Sequence, residues 1–90
     1  MPETLQMPSR LDFEGAGRLF AGLSRHRGEM VLLDATDVSY VGALAAQVLL
    51  CAARQWDSEG YPLRIVGSSR KLSDGLGQLG IDLAAVLRGA

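Results

Sequence analysis

The sequence is poor in the side chains that most often carry enzyme chemistry. Its 90 residues include one cysteine, Cys51, and one histidine, His26. A lone cysteine forms no internal disulfide, and together with one histidine it cannot complete a tetrahedral zinc site. Cys51 lies within an apolar run, which predicts a buried structural thiol rather than a reactive one. We therefore expect neither a metal nor any other cofactor.

Motifs for nucleotide binding and nucleophilic catalysis are also missing. There is no Gly-x-Ser-x-Gly elbow and no Gly-Lys-Ser/Thr phosphate loop. Gly-Ala-Gly at positions 15–17 begins like a dinucleotide fingerprint, but Phe20 occupies the third glycine position, inside a helical pattern. Asp34 and Asp37 follow a predicted strand. We expect their carboxylates to cap the backbone of a turn there rather than to bind a metal. These absences predict a protein that is not an enzyme.

The sequence has no marked excess of positive or negative charge either. Nine Lys and Arg residues stand against ten Asp and Glu residues, which gives a net charge of −1. The densest positive segment is Arg-His-Arg at positions 25–27, whereas duplex binding needs many phosphate contacts from one electropositive face. Aromatic residues make up only 6% of the chain, too few for a base-stacking platform. We expect no nucleic-acid partner.

Targeting and membrane-spanning segments are not recognisable in the sequence. The N-terminal Met-Pro-Glu-Thr has neither the basic start nor the apolar core of a secretory signal. The longest apolar run, residues 41–53, is interrupted by Gln47 and falls short of the roughly 18 residues of a spanning helix. We therefore expect a cytoplasmic protein with no direct membrane insertion.

What the chain does contain is an alternation of short apolar runs with helical patterns. Strands are predicted at residues 4–7, 30–33 and 62–67. Helices are predicted at residues 13–27, capped by Asp12, at 43–57, from Ser68 or Ser69 to Gly80, and at 81–87. Residues 9–12 and 37–42 are predicted to be turn and loop. The continuous apolarity of residues 30–33 predicts a strand covered on both faces.

This order of elements predicts one α/β domain over residues 1–90. We expect a sandwich with a small, mostly parallel or mixed sheet of three or four strands and three or four helices. In the first helix, one face is predicted to bury Phe13, Ala16, Leu19, Phe20 and Leu23.

The second predicted helix is apolar on more than one side. Its sheet-facing residues are predicted to be Ala45, Val48, Leu49, Ala52 and Trp56, with Trp56 largely buried. Leu44 and Cys51 then lie outside this face, beside Gln47. A helix that is apolar nearly all round must be buried on more than one side. A partner protein or a second copy of the chain could supply the cover, and so could the last helix; the sequence leaves these options open.

Residues 31–41, Val-Leu-Leu-Asp-Ala-Thr-Asp-Val-Ser-Tyr-Val, followed by this apolar helix resemble the STAS family of anti-sigma-factor antagonists. In that family a strand, the phrase Asp-Leu-Ser-x-Val and a short loop precede a helix that opens with Asp-Ser-Ser-Gly. Residues 10–12, 60–66 and 76–81 are similar to the start of the family's first helix, its fourth strand and the region of its third helix. The resemblance covers residues 9–88 and implies a STAS-like sandwich.

The sequence departs from the family at the phosphorylation site. Asp-Ser-Ser-Gly falls on Gly42, Ala43, Leu44 and Ala45, so the hydroxyl that a partner kinase would phosphorylate is replaced by Leu44. The resemblance therefore implies a module that is not phosphorylated at the usual position. In this it is similar to small STAS proteins found among bacterial chemotaxis genes, some of which dock on the chemotaxis histidine kinase.

The resemblance implies a non-catalytic regulatory module that docks on a bacterial signalling partner, in a sigma-factor or a chemotaxis histidine-kinase pathway. Its partner-binding residues are predicted to be Ser39, Val41, Gly42, Ala43, Leu44, Gln47 and Cys51. Two alternatives remain open. One is a structural STAS subunit of an ABC-type lipid transporter, and the other is a small nucleotide-binding protein.

Overall fold

The structure, a computed structural model, describes residues 3–67 and 70–81. The elements in chain order are β1 (Glu3–Gln6), β2 (Arg10–Leu11), α1 (Phe13–Arg25), β3 (Val31–Asp34), β4 (Tyr40–Val41), α2 (Ala43–Glu59), β5 (Leu63–Val66) and α3 (Arg70–Gln78). The α/β class and the first three predicted helices are confirmed. The helix predicted over residues 81–87 lies outside the described residues beyond Ile81, and so do the caps predicted at Ser68 and Ser69.

All strand pairs in the described residues are parallel. The three-stranded sheet has the order β1-β3-β5, with Leu5 beside Leu33 and Leu33 beside Ile65. Because the strand order follows the chain order, right-handed crossovers place α1 and α2 on the same side of this sheet. The two helices do contact each other.

The strands β2 and β4 form a separate two-stranded ladder, in which Leu11 lies beside Val41. Both strands lie in segments predicted to be turn and loop. Two residues are too few to show an alternating pattern, so no strand was predicted at either place. The helix α3 packs on β4, where its Leu72 and Leu76 are fully buried.

The three-stranded sheet is well covered on one face. Val31, Leu33 and Leu63 are buried on that face. On the other face Leu32 is only half-buried and Val66 is exposed. The prediction that the middle strand is covered on both faces is therefore only partly correct, because an unbroken apolar run does not show how each face is occupied.

The helix α1 begins at Asp12, as predicted. The Asp12 carboxylate accepts a hydrogen bond from the backbone N–H of Gly15 at 2.9 Å. The predicted buried face is only partly correct: Ala16, Leu19 and Leu23 are buried, whereas Phe13 is 81% exposed and Phe20 is 63% exposed.

The exposure of the two phenylalanines follows from the glycines of α1. Gly15 and Gly22 are buried, and they bring the helix backbone close to its neighbours. A Cβ on Gly22 would lie 3.1 Å from the Leu5 side chain. Because these glycines share the covered side with Leu19, Phe20 is turned away by about 100°, the rotation of one residue.

The helix α2 is anchored by Trp56. This side chain is 2% exposed, and its indole N–H donates a hydrogen bond to the carbonyl oxygen of Glu29 at 2.8 Å. The burial predicted for Trp56 is therefore confirmed. The helix ends at Gly60, whose φ of +80° is left-handed and is easily adopted by glycine. No described helix is both long enough and apolar enough to cross a membrane.

Candidate functional site

The start of α2 presents a leucine to solvent. Leu44 is 48% exposed, whereas Ala45, Ala46 and Leu49 are buried. The prediction that Leu44 lies outside the sheet-facing side of this helix is therefore confirmed. Gln47 and Cys51 are also exposed. They lie three and seven residues after Leu44, so the three side chains form one stripe along the helix.

Two predictions for this region need correction. Cys51 is an exposed thiol rather than a buried structural one. It follows a half-buried Leu50, and the apolar run around it did not reveal which positions face outward. Val41, predicted as a partner contact, is only 7% exposed because it packs beneath α3, where Gly75 approaches its side chain.

The remaining predicted contacts lie around the helix start. Ala43 is exposed and Gly42 is the half-buried N-cap residue. Ser39 is exposed, and both its backbone N–H and its hydroxyl donate hydrogen bonds to the carbonyl oxygen of Ser9, at 2.7 and 3.1 Å. Ser39 therefore links the loop before β4 to the segment before β2.

The Leu44 stripe forms one wall of an open groove between α1 and α2. The groove has a volume of about 370 Å³. Its α1 wall is formed by Phe20, Leu23 and Ser24, together with Arg27 just after the helix. Val48 and Trp56 contribute from α2. We call this the α1–α2 groove. The α1 wall was not predicted, because the sequence pattern places Phe20 on the buried face of the helix.

An ion pair lies beside the α1–α2 groove. An Arg27 guanidinium nitrogen lies 2.6 Å from the Glu59 carboxylate, which also accepts a hydrogen bond from the Gln55 amide at 3.1 Å. The hydrogen bond from Arg27 lowers the pKa of Glu59. Arg27 is the only charged side chain among the described residues that line the groove, and its charge is matched by Glu59.

The carboxyl edge of the three-stranded sheet holds the two predicted aspartates. The Asp34 carboxylate accepts hydrogen bonds from the hydroxyl of Thr36 at 2.6 Å and from its backbone N–H at 2.9 Å. These bonds lower the pKa of Asp34. The pattern confirms the predicted turn role of Asp34. Over residues 3–67 and 70–81, no three His, Cys, Asp or Glu side chains are grouped closely enough to bind a metal ion.

Comparison with known proteins gave no match, either to a protein-family model or to a curated protein sequence.

Proposed function

We propose that this chain is a non-catalytic protein-interaction module of STAS type. It docks on a bacterial signalling protein through the start of α2, without phosphorylation there. The observation that carries the proposal is Leu44: an apolar side chain, 48% exposed, at the position where the resemblance puts the switchable hydroxyl. A constitutive apolar contact replaces a contact that phosphate could block.

The start of α2 is held in place by contacts within the domain, which favours docking without rearrangement. The Gly42 N–H donates a hydrogen bond to the carbonyl oxygen of Leu11 at 2.8 Å, which ties the N-cap of α2 to β2. The following Ala45 and Ala46 are buried in the core. Leu44 is therefore held by a fixed backbone on both sides, and a partner does not have to order a loop on binding.

The docking surface combines an apolar anchor with polar neighbours. Leu44 is the anchor, and Gln47 offers a neutral amide beside it. A central apolar side chain that enters a pocket of the partner can dominate the binding energy, while the surrounding contacts exclude water. The partner is a signalling regulator, with an ATP-binding histidine-kinase domain as the first candidate, and the chemistry remains on that partner.

The test is a binding titration with two matched leucine substitutions. Leu44 and Leu79 are similarly exposed, at 48% and 41%. Purified wild-type chain, Leu44→Asp and Leu79→Asp are titrated against the purified chemotaxis histidine kinase and the anti-sigma kinase of the source cell. We expect Leu44→Asp to abolish binding to one of them, and Leu79→Asp to bind as the wild type does.

Thermal melting of both variants completes the test. Substitutions at exposed positions usually change stability by less than about 0.5 kcal/mol, so both variants should melt close to the wild type. A wild-type chain that binds neither kinase would overturn the proposed function. So would a Leu44→Asp variant that binds with undiminished affinity.

A further inference from the structure

The side of α1 that borders the α1–α2 groove is apolar and carries no charge. Phe20, which lines the groove, is 63% exposed, and Phe13 lies two turns before it on the same side of the helix. The charged residues of α1 lie elsewhere: Glu14, Arg18 and Arg25 are each turned by more than about 100° from Phe20 around the helix. Exposed apolar side chains that cluster in this way mark an interaction surface.

The side of α2 that borders the groove adds one unmatched positive charge. Arg54 is exposed and lies three residues after Cys51 on the same stripe. Over residues 3–67 and 70–81, no carboxylate forms an ion pair with it, whereas Arg27 is already paired with Glu59. Asp57 lies about 60° further round the helix, away from the groove. A complementary partner therefore carries negative charge beside its apolar contacts.

The size of this surface suits a single helix better than a globular face. α1 has 13 residues and α2 has 17 residues. At about 1.5 Å per residue and about 10 Å per helix, the layer measures roughly 20 by 20 Å, or on the order of 400 Å². That is half of the roughly 800 Å² that each partner contributes to a standard interface. A helix about 10 Å wide, by contrast, fits along the groove within this area.

We propose that the α1–α2 groove binds an amphipathic helix of the partner protein, with apolar residues along one face and a carboxylate at the edge of that face. Phe20 and Leu44 contact the apolar residues, and Arg54 pairs with the carboxylate. Helices that lie in such grooves present apolar residues at positions i, i+3 or i+4, and i+7. Because Leu44 lines the groove, this inference rests on the proposed function and names what the signalling partner presents to it.

Two synthetic helical peptides of about 14 residues test the inference, since a helix of that length measures roughly 20 Å. Both carry leucine along one face, and the positions beside that face are glutamate in one peptide and lysine in the other. We expect the wild-type chain to bind the glutamate peptide about tenfold more tightly in fluorescence anisotropy, because Arg54 attracts one peptide and repels the other. Arg54→Glu should reverse this preference. The matched control is Arg18→Glu, which makes the same change in net charge on the other side of α1 and should bind as the wild type does.

A second pair of variants tests the apolar contact. Phe20→Ala should weaken binding of the glutamate peptide, whereas Val66→Ala, which changes an exposed residue on the far face of the sheet, should not. A wild type that binds neither peptide, or both equally well, would overturn the proposal. So would a wild type that doubles its mass of 9.6 kDa in sedimentation equilibrium, since a second copy would then occupy the groove.

The kinase titration separates this inference from the proposed function. Kinase binding that is lost in Leu44→Asp but unchanged in both Arg54→Glu and Phe20→Ala would overturn the bound helix and leave the docking function intact. The expected peptide preference in a chain that binds neither kinase would support the bound helix and overturn the proposed kinase partner.

Discussion

Replacement by alanine is expected to have opposite effects on stability at two glycines of α1. A Cβ on Gly15 would lie 2.0 Å from the carbonyl oxygen of Arg10, whereas a Cβ on Gly17 would meet nothing within 4 Å. Alanine is favoured over glycine inside a helix by about 1 kcal/mol. We therefore expect Gly17→Ala to stabilise the fold and Gly15→Ala to destabilise it.

The loss at Gly15 can be estimated from the contacts around it. A contact with a backbone atom at 2.0 Å cannot be relieved by a side-chain rotation, so the start of α1 must move away from β2. Forcing extra atoms into a packed site costs about 1–3 kcal/mol. The movement also strains the capping bond from Gly15 to Asp12, and a lost cap costs about 1 kcal/mol. After subtraction of the helix-propensity gain, the net loss is about 1–3 kcal/mol.

The measurement is thermal denaturation of both variants, monitored by circular dichroism at low protein concentration. For a domain of this size each kcal/mol corresponds to about 4–8 °C in Tm. Gly17→Ala should melt a few degrees above the wild type, and Gly15→Ala at least about 4 °C below it. If Gly15→Ala is as stable as Gly17→Ala, then α1 is not held against β2 as described.

Three further predictions concern other parts of the molecule. Trp56→Ala should lower the free energy of unfolding by about 3–5 kcal/mol. Trp56→Phe keeps much of the packing but loses the hydrogen bond to Glu29, so its loss should be clearly smaller. Equal losses of the two variants in urea denaturation would contradict the packing described. Asp34 has a pKa below its unfolded value of 3.8, so its contribution to stability is present above that pH and is lost as the pH falls through the lower folded pKa. Thr36→Val should weaken this acid-side dependence in melting curves taken across that range, because it removes the hydroxyl bond to Asp34 and keeps the backbone bond, and a variant with unchanged pH dependence would contradict it. Incubation with the partner kinase and ATP should leave the intact mass unchanged, because Ala43 and Leu44 have no hydroxyl, and a phosphoryl group mapped to Ser39 would contradict this.

The order of helices and strands was readable because each long element combines a periodic pattern with a clear end. Asp12 marks the start of α1, and Gly60 marks the end of α2 by adopting a left-handed φ of +80°. The two-residue strands β2 and β4 had no such signal, because their pairing depends on a chain segment about 30 residues away. Local patterns do not encode a contact of that kind.

The groove was harder to predict because it depends on which side of α1 is covered. Phe20 was predicted to be buried, since large apolar residues are usually found inside. In the structure, the covered side is built instead on close backbone approach at Gly15 and Gly22. A glycine adds nothing to an apolar pattern, so hydrophobic periodicity alone wrongly grouped Phe13 and Phe20 with the buried Leu19. The two buried glycines seven residues apart were the available signal, because that spacing returns to the same helix face. Where small residues bring a helix backbone against its neighbours, the larger apolar side chains of the same helix remain available for contacts outside the domain.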